Sequence, residues 1–285
     1  DTAVVPYGIG TFGSRGTAVG GTAAYMSLIK LRDKLARIAG HLMGEDPKNL
    51  VFGSGKIFSK SAANKSINLI EAIGAAYSAK SLPQGMEPGL DSTTFFEPSN
   101  FTFPFGAHVC VVEIDAETGD VRLLKYVAVD DCGNVLNPLL VEGQVHGGIV
   151  QSVGQAMFEE AVYDEHGQLI TGELMDYAIP RADCMPWMET HRTVTPSPVN
   201  PLGVKGVGEA GTIGATPAII NAVVDALAPF GVRHVDMPVK RERIWKLMRR
   251  KAPPKHAPRA AAKPKAKPKK KSKPAARRRA RRRAR

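Results

Sequence analysis

Cysteine is scarce in this chain. The 285 residues hold three, Cys110, Cys132 and Cys184, far apart and without a CxxC pair. So sparse and odd a set excludes a disulfide framework and a thiolate-built metal site, and it points to a reducing compartment, with the cytoplasm expected. No run of 18 apolar residues occurs, which excludes a membrane-spanning helix of ordinary composition. No apolar leader pattern follows Asp1, so no signal peptide is expected. Acidic residues are missing from Arg249 to Arg285, where 19 of the 39 Lys and Arg lie. The net charge of +12 therefore belongs to that segment. The remaining twenty basic residues face all 27 acids in positions 1–248, so the body is mildly acidic at −7. The basic excess says nothing about the chemistry of the body.

What is present reads as an α+β chain: mixed sheets built from hairpins, with flanking helices. The length allows one large domain or two smaller ones. A body over 1–250, divisible near residue 80 into 1–80 and 81–250, is expected to precede a tail over 251–285. That tail is almost entirely Lys, Arg, Ala and Pro, cannot bury a core, and is expected to be disordered. In the body, the stripe Tyr25, Leu28, Leu35 and Ile38 predicts a helix from about Gly21 to Ala39, stopped by Gly40. Asn49–Phe58 reads as a strand broken at Gly53 and Gly55, and Ser66–Tyr77 as a helix. The β-branched runs Ala107–Asp115 and Val121–Val129 around Glu117-Thr118-Gly119-Asp120 predict a hairpin. A helix is expected over Val141–Glu160, a second hairpin turning at Asp164–Gly167, and loop over 180–205. Thr216-Pro217 supplies an N-cap and a first-turn proline, so the next helix is expected to begin there.

Three stretches carry the chemistry. GVKGVGEAGTIGATP (Gly203–Pro217) has five glycines that let backbone approach a bulky ligand, with one acid, Glu209, embedded among them. A lone carboxylate there can take a proton from a reacting group; on its own residues it reads more readily as a solvated loop acid. NPLLVEGQVHGG (Asn137–Gly148) places Gln144 in the first turn of a predicted helix, where free N–H groups favour anions and the amide can both donate and accept. The alternative is a helix-packing Gly147-Gly148 pair beside an exposed Gln. His146 has no partner at i+4 and reads as a packing or surface histidine. GIGTFGSRGT (Gly8–Thr17) offers backbone N–H and hydroxyl donors to an anionic cofactor, or serves as a plain connector.

Both GIGTFG (Gly8–Gly13) and GVGEAG (Gly206–Gly211) match the dinucleotide fingerprint by letter. The second puts Glu209 where a pyrophosphate would lie, after a poor strand. In the first, the acid some twenty residues on, Asp33, falls inside the predicted helix. A phosphate-cradling role survives for the first; a nicotinamide-dinucleotide fold does not.

In order, the words GTFGSR, FPFGAH, VDDCG, VEGQVHGG, FEE, MDY, TPSP and NPLGVKGVGEAGTIGA resemble the large chain of the xanthine oxidase/aldehyde oxidase family of molybdenum hydroxylases. The likeness runs over roughly residues 5–247, corresponds to the C-terminal portion of the family's large chain, and is nearest to carbon-monoxide-dehydrogenase-type chains. It implies that Glu209 is the base beside the molybdenum. It also implies that Gln144 contacts the pterin, and that Thr11, Phe12, Gly13 and Ser14, with Gly206 and Gly208, contact the cofactor. The implied cofactor is molybdopterin cytosine dinucleotide carrying Mo. The metal is held through the pterin, so no protein ligand to it is expected. Implied partners are an iron–sulfur (2Fe-2S) small subunit, an FAD-carrying medium subunit and the N-terminal part of the large subunit. A homodimer of heterotrimers is an assembly the resemblance allows. The implied activity is oxidation of an aldehyde, an N-heterocycle or carbon monoxide with water-derived oxygen. Two departures stand out. Family large chains are far longer, and the copper-binding cysteine of the carbon monoxide enzymes has no match among the three here. The runs KPKAKPKKKSKP (Lys263–Pro274) and RRRARRRAR (Arg277–Arg285) also lie beyond the family pattern and look like histone-type tails suited to polyanions. The competing readings are a nucleic-acid-binding protein acting through this tail with a structural body, and an inactive molybdopterin-binding remnant.

Overall fold

Glycines and short polar turns decide where the first third of the chain bends. The computed structural model describes Ala3, residues 7–62 and residues 64–249. Helix α1 (Thr22–Met43) follows a π-helical turn over Gly16–Gly21 and ends at Gly44, which takes the left-handed conformation at φ 65° and donates to Gly40 O. The expected stop at Gly40 is thus four residues early. Gly40 is glycine for another reason: a Cβ there would lie 2.7 Å from Glu45 O and 3.1 Å from Pro47, where the chain folds back. Of the expected stripe, Leu35 and Ile38 are buried, while Tyr25 and Leu28 are exposed.

The predicted broken strand is a tight hairpin, β1 (Leu50–Gly53) and β2 (Lys56–Ser59), turned at Ser54 and Gly55, both with positive φ. A third strand, β3 (Ser66–Asn68), completes this small antiparallel sheet and leads into α2 (Leu69–Ala76). Asn68 and Glu71 form a reciprocal capping box at that junction, so the helix begins three residues later than its apolar spacing implies. Leu35, Ala39, Leu50, Ile57 and Ala72 make the core between α1, the sheet and α2.

The second sheet runs β4 (Phe105–Ile114), β5 (Val121–Asp131), β6 (Met188–Thr193) in that order. β4 and β5 form the expected hairpin, with a bulge at Val111/Val112. β6, unforeseen in the 180–205 loop, pairs with β5 in parallel, Tyr126 opposite Met188 through Asp131 opposite Thr193. Its sequence, METHRT, has no apolar alternation because it is an edge strand whose last three residues are exposed. The second predicted hairpin reduces to one bridge, Tyr163–Leu169, around a turn organised by the Asp164 carboxylate.

α3 (Pro138–Val153) is capped by Asn137, whose side chain accepts from Leu140 N, with Pro138 at the first position. It starts three residues before the predicted boundary, so Gln144 sits in the second turn, not the first. α4 (Ala210–Ala226) starts seven residues before Thr216-Pro217 would cap it, with Glu209 as its N-cap residue. Pro217 lies within that helix and only deprives one carbonyl of its partner. α3 and α4 cross at glycines. A Cβ on Gly148 would meet Thr212 N at 2.8 Å, and one on Gly211 would meet Val145 O at 2.5 Å. Ser152 Oγ donates to Thr212 O, and Thr212 Oγ1 to Gly148 O, across the crossing. Tyr126, Ile149, Val153, Ile219, Val223, Leu227 and Ile244 fill the main core between these helices, the sheet and α5 (Arg241–Arg249). Gly211→Val is expected to lose about 1–3 kcal/mol of stability through overpacking. Gly147→Ala, at an exposed position of α3 away from the crossing with nothing within 4 Å of the added Cβ, should be neutral or slightly stabilising. Urea unfolding of both variants checks the pair.

Residues 251–285 lie outside the described residues, and so does the disorder expected of them. Among the described residues no helix is long and apolar enough to cross a membrane.

Candidate cofactor-binding and catalytic site

Three separate stretches of chain meet where the glycines are. The first is the segment before α1, in which Gly13 and Ser14 both take left-handed backbone conformations, φ 58° and 55°. For a residue with a side chain this costs of order 1–3 kcal/mol and persists only where neighbours hold it. Here the holding contact is Glu209. Ser14 Oγ donates to Glu209 Oε2 at 2.6 Å and accepts from Glu209 N at 3.0 Å, so one hydroxyl bridges the backbone and carboxylate of a residue 195 positions away. Gly206 permits this approach, because a Cβ there would stand 2.6 Å from both Ser14 Cβ and Ser14 O. At Gly208 a Cβ would reach Ser14 Oγ at 3.2 Å and Gln144 Oε1 at 3.8 Å, which puts Gln144 beside the same loop.

Together these residues line a cleft of 440 Å³, with Thr11, Ser14, Gln144, Gly206 and Gly208 on its wall. Glu209 stands at its edge through Ser14, and its backbone opens α4, where free N–H groups carry partial positive charge suited to an anion. Phe12 and Gly13 do not line the cleft: Phe12 is half exposed, under the Arg15 guanidinium at 4.9 Å. Asn134, Asn137, Val141, Cys132 and Lys205 also line it, and sequence reasoning does not single them out. Cys132, Asn137, Val141 and Lys205 are signalled only by membership of the words VDDCG, NPLLVEGQVHGG and GVKGVGE, in which no residue type marks a cleft, and Asn134 falls in none of them.

The floor of the cleft is tied to β5. Lys205, buried, pairs with buried Asp131 at 2.9 Å, and its ammonium lies 4.5 Å from the Phe105 ring centroid. Burial pushes the Asp131 carboxyl up, but the Lys205 ammonium, the Gly133 N–H and the Thr195 and Thr193 hydroxyls outweigh it. The net result holds Asp131 well below the usual carboxylate range. Lys205 N donates to Cys132 O at 2.7 Å, and Asn134 N to Gly203 O at 3.0 Å. Asn200 closes the loop, its side chain accepting from Val204 N and donating to Val204 O. Burial, helped by the Asp131 charge, pushes the Cys132 thiol up, so it is no thiolate. Among the described residues no group of three or more His, Cys, Asp or Glu is placed to hold a metal ion.

Residues 1–186 match the family described as the molybdopterin cofactor-binding domain. The chain belongs to that family. This molybdopterin cofactor-binding chain is 40% identical over 249 residues to the carbon monoxide dehydrogenase large chain of Hydrogenophaga pseudoflava, covering 87% of itself and 31% of that protein. It also matches two solved structures. Reconstituted CO dehydrogenase from Oligotropha carboxidovorans is 39% identical with a TM-score of 0.80, over 86% of this chain and 30% of that one. Quinoline 2-oxidoreductase from Pseudomonas putida 86 is 38% identical with a TM-score of 0.79, over 86% and 31%. The chain thus spans about a third of the length of the relatives it matches. The α+β architecture with mixed sheets is the one these structures share.

The cleft suits a molybdopterin. Its wall offers an amide and hydroxyls as donors and acceptors, and glycine backbone where side chains would block a flat ring system.

Proposed function

We propose that this chain is the molybdopterin-gripping part of a molybdenum hydroxylase large subunit, with Glu209 as the base of the reaction. The observation that carries this reading is the Ser14–Glu209 pair. A carboxylate on a nearly bare glycine loop is held by a hydroxyl from the far end of the chain, at the edge of a cleft lined by Gln144, Gly206 and Gly208. The chemical class is oxidation of an aldehyde, an N-heterocycle or carbon monoxide with oxygen from water. Names among the relatives range from carbon monoxide to quinoline, which supports the class and leaves the choice within it to the substrate-facing residues.

Bound in the cleft, the molybdenum–pterin supplies the electron-accepting chemistry. The chain's own residues bind and handle protons. Gln144, Thr11 and Ser14 hold the pterin by hydrogen bonds, Phe12 and Gly13 shape the loop that carries Ser14, and Gly206 and Gly208 leave room for the ring. The Glu209 carboxylate, held by one directional hydrogen bond from Ser14, is the general base that would take the proton from the attacking hydroxyl. The Ser14 hydroxyl keeps the carboxylate turned, and the α4 N-terminus favours its anionic form. The cofactor form is molybdopterin cytosine dinucleotide. The partners this reading calls for are small and medium subunits that would carry 2Fe-2S and FAD and take up the electrons, in a cytoplasmic complex that would assemble as a dimer of heterotrimers. The body spans 1–250, as subdomains 1–80 and 81–250. Expression together with the rest of a large chain, in cis or in trans, is expected to give close to one molybdenum per chain by elemental analysis. Gln144→Leu should lower that loading about tenfold at limiting cofactor, the loss of one or two hydrogen bonds. Absence of molybdenum from the wild-type complex would contradict the reading and favour an inactive remnant.

A second reading concerns residues 251–285. Their basic residues, with no acid among them, support binding to polyanions by counterion release. Removing 251–285 is expected to abolish retention on nucleic acid at low salt and to leave molybdenum content unchanged. Unaltered retention would assign any such binding to the body.

A further inference from the structure

VDDCG and FPFGAH mark positions that the proposed reaction does not use, and the fold gives them one task. Asp130 and Asp131 are the last two residues of β5. Successive strand residues face opposite sides of a sheet. Asp131 therefore meets Lys205 on one side, while Asp130 meets the His108 ring on the other, with His108 Nε2 3.3 Å from both Asp130 oxygens. All four side chains are nearly or fully buried. The other ring nitrogen, His108 Nδ1, is 2.8 Å from the hydroxyl of fully buried Tyr126, so the imidazole is fixed at both ends. Helix α4 rests on that ring: a Cβ on Gly214 would lie 2.7–2.8 Å from three of its atoms.

The two anchor points bracket Glu209. Lys205 comes four residues before it and Gly214 five residues after it. Before Glu209 lie Gly206 and Gly208, which have no side chains to pack, so that part of the loop has little means of holding its own conformation beyond the Ser14 contact, while from Gly211 onward α4 is also held by its crossing with α3. A buried ion pair such as Lys205–Asp131 is seldom the best route to stability, since apolar replacements of equal volume often do as well. Its strength, like that of the buried His108–Asp130 hydrogen bond, is directional. Each contact fixes one geometry and leaves a buried polar group unsatisfied in any other.

We infer that Asp130 and Asp131 form a yoke that positions Glu209: Asp131 grips the loop before it through Lys205, and Asp130 fixes the seat of the helix after it through His108. These are positioning residues; neither is placed at the reacting atoms. The inference rests on Glu209 being the base, and its test separates the two ideas.

Amide hydrogen exchange on this chain, without cofactor, reads the yoke directly. Asp131→Asn is expected to speed exchange in 203–209, and His108→Phe in 210–216, at least tenfold beyond the common rise that each variant's loss of global stability gives the rest of the chain. Lys205→Arg should restore slow exchange where Lys205→Met does not. In the loaded complete enzyme, Asp131→Asn should lower kcat with KM nearly unchanged, and should lower it no further in a Glu209→Gln background. Exchange in 203–216 that rises no more than in the rest of the chain overturns the yoke, as does an Asp131→Asn effect fully additive to Glu209→Gln. If Glu209→Gln keeps normal turnover while exchange responds as stated, the base assignment fails and the yoke remains as an anchor of that loop. Should Asp131→Asn not fold, the Lys205→Arg and Lys205→Met pair decides between the same two outcomes.

Discussion

Glu209→Gln is expected to leave molybdenum bound in the complete enzyme and to lower turnover by several decades, on the order of 10²–10⁴ or more. The substitution separates geometry from proton affinity. A Gln amide oxygen can still accept from Ser14 Oγ, and the backbone N–H of residue 209 can still donate to it, so both halves of the Ser14 contact are retained. Residue 209 also remains the N-cap of α4. The amide, however, cannot take up a proton. The loss should therefore fall on kcat, and cofactor content by elemental analysis should match wild type. A variant with full molybdenum and near-normal turnover would remove Glu209 from the role of base.

Asp131→Asn carries the largest expected effect on stability, about 3–5 kcal/mol at neutral pH, because it strands the Lys205 ammonium inside the protein. The pH dependence has a definite sign. The folded-state carboxyl is held below its unfolded value, so its contribution is complete above the unfolded value near 4 and is lost as pH falls toward the folded one. The gap between wild type and variant should therefore be full at pH 7 and at pH 5, and narrower at pH 3. Urea unfolding at the three values measures it. An equal gap at pH 3 and pH 7 would show that the pair is not the source.

Much of the architecture can be read from local pattern. The β4–β5 hairpin follows from β-branched alternation about a Gly-Asp turn, and Leu35 and Ile38 from helical spacing. The misplaced boundaries have two physical causes, tertiary contact at α4 and a local cap at α3. Thr216-Pro217 is a good local start for a helix, but α4 begins seven residues earlier, where glycines 211 and 214 fit against α3 and His108 and Ser14 ties down Glu209. Asn137-Pro138 is an equally good local start, and α3 uses it, ahead of the apolar spacing that predicts that helix. β6 has no alternation, since it is an exposed edge. For the site, the glycine-rich words are visible beside helices, and so are Gln144 and Glu209 as their polar members. The Lys205–Asp131 and His108–Asp130 partnerships are not, because each joins residues far apart in sequence that only the packed sheet brings together.

The Ser14–Glu209 contact also bears on when the site comes into being. Contacts of such wide sequence separation form only after the intervening chain has ordered, since closing so large a loop is entropically unfavourable until other interactions have brought its ends near. The aim of the carboxylate thus depends on a contact whose two sides the sheets and helices between them must first bring together. A chain whose opening segment has not yet docked would keep its sheets and helices while its acid pointed freely, holding the scaffold ready before the chemistry is switched on.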